Sequence, residues 1–323
     1  VLFVELNEAI RKFIPLGYRM KFIIIFSLLM LGIPAFAQDT DATENEILRT
    51  QLEEPFVQDD LELMVGNVQR PNAMTWYEGE LYVICNGDWT IYKINDTTGD
   101  TITYIFGVKN GDTLIVEPTE AGFDLWAPDG DSNTLWKLDH TRAAPASINS
   151  ELESPWGIVR VDETGFLLTS SKENAILKIT ESGTTREIIT GLRSPTGIAK
   201  QDEFIYFANG GSARRGLEWF EILSDGTYSD PQPLVSGLQN TTSVVMGQDG
   251  YLYFAYALGT RGVVGRVLPE LCREDGCSND DVETVIFSDI PAPIAGMTIS
   301  DDMRIFLHSR YRPEIYWVQV PTE

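Results

Sequence analysis

The sequence predicts an all-β fold, a six-bladed β-propeller of four-stranded antiparallel blades. Two observations carry that prediction. A hairpin-like phrase returns six times, starting at residues 81, 125, 166, 205, 252 and 305, and a step of about 40–50 residues is the length of one propeller blade. The rest of the chain alternates short β-rich runs with turn residues and shows no long 3.6-residue periodicity.

The N-terminal region reads as a leader. Arg19 and Lys21 precede the apolar run Phe22 to Leu31, and Ala35-Phe36-Ala37 forms a small-x-small cleavage site before Gln38. The apolar stretch is shorter than the ~20 residues that a membrane-spanning helix needs. Residues 1–37 are therefore expected to be an upstream extension plus a signal peptide, starting at Met20 and cleaved after Ala37. That predicts export to the periplasm or the extracellular space, with no transmembrane segment after cleavage. Residues 38–60, acidic and weakly apolar, read as a linker. The propeller is expected over residues 61–323.

Each element of the repeat has a local reason. In the first copy, LYVICNGDWTIYKIN, a β-rich run is followed by the turn Asn86-Gly87-Asp88 and a second β-rich run, which is the pattern of a hairpin. The phrase returns from Leu125, Phe166, Ile205, Leu252 and Ile305. A leading signal precedes most copies: Arg70-Pro71-Asn72-Ala73, Ser154-Pro155-Trp156-Gly157, Ser194-Pro195-Thr196-Gly197 and, more loosely, Ala292-Pro293-Ile294-Ala295-Gly296. For the second copy the signal is degenerate and falls around Glu117–Gly122. The last copy ends near the C-terminus one strand short. Residues 61–66 are expected to supply that strand and so remove an exposed edge.

Charge narrows the partners. The chain has 323 residues, with 48 acidic against 24 basic side chains and a formal net charge of −24. Such a surface repels phosphate backbones and argues against nucleic-acid binding. In an exported chain, Cys272 and Cys277 are placed to form a local disulfide. Cys85 reads as a small buried apolar residue.

The pattern Pro-x-Gly-Ile, an acidic-Gly turn, Leu-Tyr-Phe, a polar tip and Ile-x-Lys-Ile resembles a superfamily of six-bladed propellers. It includes NHL-repeat proteins, the SMP-30/gluconolactonase group, and strictosidine-synthase-like and streptogramin-lyase-like proteins. The resemblance covers about residues 61–323 and secures no single family. It implies a test for a divalent cation such as calcium over the central channel, held by a Glu from the first blade, Asn residues of leading loops and an Asp at the fifth position of a phrase. The fifth positions here are Cys85, Asp129, Ser170, Asn209, Tyr256 and Ser309. Only Asp129 and Asn209 suit a hard cation, and Asn72 is a third candidate. The set is incomplete. Of the two histidines, His308 is the candidate general base.

In a propeller the loop entering a blade and the tip of its hairpin share one face. That face is expected to collect seven basic residues: Arg70, Lys172, Arg214, Arg215, Arg261, Arg310 and Arg312. Trp89, Trp156 and Tyr256 would join them. Arginine forks suit carboxylate, sulfate or phosphate groups, and aromatic rings offer stacking planes. Pairing of these cations with neighbouring carboxylates is the plainer explanation of such a cluster. Two readings follow. One is an exported binding scaffold whose partner is a small anionic ligand, a carbohydrate or a protein. The alternative is a metal-dependent hydrolase, of lactonase type, or a lyase.

Overall fold

Six small sheets arranged as blades build the propeller. Residues 52–310 and 312–321 are described, in a computed structural model. The expected leader, and the linker up to residue 51, lie outside the described residues. Blade 1 runs outward from the axis as Pro71–Tyr77, Glu80–Cys85, Thr90–Asn95 and Thr101–Phe106. Blades 2, 3 and 4 repeat that order from Ile115, Pro155 and Pro195, and blade 5 from Val244.

Blade 6 closes the ring as the sequence implied. Its strands Ile294–Ile299, Arg304–Ser309 and Ile315–Gln319 are completed by the N-terminal strand Glu62–Val65, with Glu62 opposite Trp317 and Leu63 opposite Tyr316. The preceding segment does more than link. Phe56 bonds through its backbone to Val285 and Phe287 on the outer strand of blade 5. Residues 56–60 therefore continue the structure where the sequence suggested solvated chain, because an apolar Phe56 and a free strand edge can satisfy one another.

Six apolar clusters fill the ring, each shared by two consecutive blades. Cys85 lies in the one between blades 6 and 1, fully buried as expected. Tyr206 and Tyr253 are also fully buried, and Trp126 nearly so, which explains why aromatic residues recur at these positions. A short helix, α1 (Pro269–Asp275), leaves blade 5 and is tied back by the Cys272–Cys277 disulfide. Arg273 from this helix lies over the Phe204 ring of blade 4.

The leading signal has a steric meaning at the axis. A Cβ placed on Gly157 would stand 2.5 Å from the carbonyl oxygen of Thr196 in the next blade. On Gly197 it would stand 2.4 Å from that of Thr242, and on Gly296 2.5 Å from that of Asn72. Only glycine permits these approaches. The Gly197 N–H also donates to Thr242 O at 2.7 Å. The innermost strands line a central cavity of about 250 Å3.

Gly197→Ala is expected to destabilise the chain by roughly 2 kcal/mol or more, through overpacking against backbone that cannot retreat. Gly66→Ala, where the added carbon meets only a leucine methyl at 3.7 Å, should stay within about 0.5 kcal/mol. Urea denaturation of both variants checks the pair; equal losses would remove the steric account.

Candidate ligand site at the mouth of the central channel

The innermost strands all start on the hairpin-tip face, so the residue after each leading Pro stands at the channel mouth. Pairing with the fifth position of the phrase identifies it: Pro71 faces Cys85, Pro155 faces Ser170 and Pro195 faces Asn209. In blade 2 the partner of Asp129 is Gly111. The leading signal of blade 2 is therefore Gly111-Asp112-Thr113, upstream of the span around Glu117–Gly122 that the sequence suggested. It was illegible because glycine stands where the other blades carry proline and threonine where they carry glycine or alanine. Counting back from Asp129 would have found Asp112.

Asp112 is the centre of a polar cluster. It is 7 % exposed. Its Oδ1 accepts from Arg310 Nη2 at 2.6 Å and from Asn72 Nδ2 at 3.0 Å. The same Asn72 Nδ2 lies 2.7 Å from Gly111 O and 2.9 Å from Asn110 Oδ1. Burial pushes the Asp112 carboxyl up to about 6 against the pull of Arg310 and Asn72, and the charges of Asp131 and Asp129 add to the rise. Arg310 belongs to the tip of blade 6, Asp112 to blade 2 and Trp156 to blade 3. The guanidinium therefore reaches over the channel axis, and it lies 5.4 Å from the centre of the Trp156 ring. Four buried polar atoms at this mouth have no hydrogen-bond partner among the described residues: Arg310 Nε, Asn72 Oδ1, Asn86 Oδ1 and Thr241 Oγ1.

Beside Arg310 the mouth opens into a basin of about 620 Å3. Trp156, Thr196, Thr241 and Thr242 line it with the wall Pro291–Pro293. That volume is ordinary for a small-molecule site, and an apolar wall with a few fixed hydroxyls is the usual composition of one.

The candidate metal ligands do not assemble. Asp129 Oδ1 accepts from the backbone of Asp131 and Ser132, and its Oδ2 from the backbone of Lys109 and from Trp136 Nε1. It is a turn-forming carboxylate with its lone pairs in use. Asn209 accepts from Arg193 N and donates to Glu218. Only Asn72 stands at the mouth, and it turns its amide nitrogen toward the Asp112 loop. Among the described residues no cluster of three or more His, Cys, Asp or Glu side chains could hold a metal ion. The remaining carboxylate at the mouth, Asp112, already faces the Arg310 guanidinium. These residues do not fit a cation over the channel.

His308 braces the ring. It has no exposed surface, its Nε2 lies 2.7 Å from Asn72 O, and its Nδ1 lies 3.3 Å from Ser309 O. Thr169, at the same position of its own phrase, donates at 2.6 Å to Thr196 O of the next blade. A carbonyl only accepts, so the short contact places the ring proton on Nε2. His308 thus does the work of Thr169 between blades 6 and 1, and it lines neither the channel nor the basin. Burial pushes it down to about 4.

The seven basic tips divide. Lys172 pairs with Glu153, Arg215 with Glu218, Arg261 with Asp289 and Arg310 with Asp112. Arg70, Arg214 and Arg312 are exposed and make no ion pair among the described residues. The last three stand on separate blades, so the seven do not form one anion-binding face. Tyr256 is buried in the cluster between blades 4 and 5, packed on Phe254. The fifth position of the phrase is buried in every blade, so this ring packs into the core instead of reaching the mouth. Trp89, 46 % exposed, lies near Phe106 under the Lys109 ammonium.

Solved structures of this shape include a streptogramin B lyase, at 17 % identity and a TM-score of 0.56, with 80 % of this chain and 96 % of that one covered. A gluconolactonase from Xanthomonas campestris is similar at 13 % identity and 0.63, covering 81 % and 89 %. The calcium-binding protein regucalcin from Agrobacterium tumefaciens is similar at 11 % identity and 0.62, covering 84 % and 97 %. No protein-family model and no curated protein sequence matches. At these identities the likeness shows the six-bladed fold, without a single family.

His308→Ala is expected to cost about 1–3 kcal/mol at pH 7, because Asn72 O loses its donor. The unfolded imidazole titrates near 6.5 and the folded one near 4. The unfolded chain therefore takes up the proton first, and the stabilisation is full above pH 6.5 and lost as pH falls toward 4. Asp112, raised in the fold, contributes with the opposite sign over the acid part of that window. Comparison with His308→Gln isolates the histidine: wild type should lose more stability than this variant between pH 7 and 4.5. Parallel pH profiles in urea denaturation would show that His308 does not titrate as argued.

Proposed function

We propose that the protein is an exported binding scaffold that takes a carbohydrate, or a small ring compound of like shape, into the tip-face basin. The basin beside Trp156 carries this reading. An aromatic ring and proline walls suit the apolar face of a sugar, and Ser194 and Thr260 offer hydroxyls to its own. The Cys272–Cys277 disulfide suits an oxidising compartment. Arg310 lies against Trp156 at the edge of the basin, so a single cationic anchor stands in for the broad basic face.

The reading of a metal-dependent hydrolase or a lyase draws on structures of similar fold. Its chemistry needs a base and, in the metal form, a set of oxygen ligands. His308 is sealed inside the ring, and the oxygens of Asp129 and Asn209 are already engaged. Among the described residues, the candidate base and the candidate ligands at the mouth are thus otherwise occupied.

A panel of oligosaccharides, acidic sugars and lactones tests the proposal by calorimetry and by product analysis. Binding should occur without conversion, and Trp156→Ala should weaken it at least roughly tenfold. Calcium and chelator should leave the melting temperature unchanged. Hydrolysis of a lactone, or a melting point that rises with calcium, would favour the enzyme instead.

A further inference from the structure

We propose that the ligand of the basin carries a carboxylate, and that this group takes the Arg310 guanidinium in exchange for Asp112. The inference rests on the basin reading and names the chemistry of its ligand. Three observations lead to it.

Arg310 reaches from blade 6 to the far side of the mouth, and Asp112 is the one carboxylate it pairs with there. Its side chain keeps partial exposure, 28 %, while that of Asp112 keeps 5 %. The pair is therefore open to solvent on the arginine side only. Second, the fork is incompletely used: Nη2 meets Asp112, but Nε is buried with no partner. A guanidinium offers two parallel N–H groups to a carboxylate, and a bidentate pair is stronger than the single contact to Asp112. Third, Arg310 lies against Trp156, whose ring lines the basin, so a ring compound there brings its substituents to the guanidinium.

Asp112 is built to give way. It is desolvated, and Asp129 and Asp131 add repulsion, while Asn72 and Arg310 oppose both. Once a ligand carboxylate holds the arginine, Asp112 loses its largest source of positive charge and takes up a proton instead. Binding is then coupled to protonation of Asp112, and no covalent bond changes. The sign follows. Near pH 8 an ionised Asp112 competes for Arg310 and repels the incoming anion. As pH falls toward about 6, where the free protein's Asp112 titrates, the competitor is neutralised, so affinity for a carboxylate rises above that pH and levels off below it. His308, another titratable group near Arg310, stays neutral until about 4, below this window.

The experiment compares oligogalacturonate with its methyl ester, which keeps the shape and removes the charge. Titration calorimetry on the intact chain at pH 8 and pH 5 reads both. The acid should bind at least roughly tenfold tighter at pH 5, by the linkage above, and the ester equally at both. Asp112→Asn should bind the acid at pH 8 as tightly as wild type does at pH 5. Arg310→Ala should bind acid and ester alike. Should either variant fail to fold, the acid-to-ester comparison on wild type at the two pH values decides alone. Equal affinity for acid and ester at both pH values, with binding still lost in Trp156→Ala, would overturn the exchange and leave the basin reading standing. Binding of neither probe would overturn both.

Discussion

The close approach of neighbouring innermost strands at the axis sets the rest of the structure. Where Gly157, Gly197 and Gly296 face the carbonyls of Thr196, Thr242 and Asn72, the distance between blades is fixed by the absence of a side chain. Each of those carbonyls then finds a donor in the preceding blade: Thr169 for Thr196, the Gly197 N–H for Thr242, and His308 for Asn72. Polar groups buried at the axis are thus satisfied across blade boundaries, which is costly to disturb because each loss strands a buried carbonyl. The apolar clusters further out can fill only after this spacing is set. Closure by the strand Glu62–Val65 completes the ring and leaves blade 6 no open edge.

That constraint explains which parts of the fold were legible. The leading Pro-x-Gly signal repeats because it reports a steric requirement shared by several interfaces, so proline and glycine recur while their neighbours drift. The phrase letters repeat because each hairpin presents the same face to the next blade. Blade 2 escaped because its signal, Gly111-Asp112-Thr113, meets the same backbone demand with different residues. The disulfide was legible from spacing alone. Docking of Phe56 on blade 5 was not, since the partner backbone at Val285 is far along the chain.

The site was harder to read for a related reason. The sequence shows which residues reach a face, and the topology placed the tips correctly. It does not show which cations already have partners. Glu153 stands close to Lys172 in the chain and Glu218 closer still to Arg215, but Asp112 and Arg310 are 198 positions apart. Four of the seven basic tips are neutralised by such pairs, and net charge could not reveal it. The fifth phrase position misled in the same way. Asp129 carries the right atoms for a cation, yet the turn that follows it and the loop of blade 2 had already consumed them.

What distinguishes Arg310 from the other paired tips is the character of its pairing. Arg215 holds Glu218 through Nε and Nη2, with a carbonyl on the remaining nitrogen. Arg266, deep in blade 5, is held by both oxygens of Glu283 and by Asp249. Those arginines are fully committed, and their geometry gives stability to blade interiors. Arg310 makes one contact to a carboxylate that burial itself discourages from being charged, and a second nitrogen goes unused. A buried donor left without a partner costs stability, and at the mouth of its channel the fold retains that expense on a guanidinium nitrogen. Under the proposed function that expense has a use: an arginine already held across the axis needs little rearrangement to meet a ligand, and the carboxylate beneath it can be released by taking up one proton.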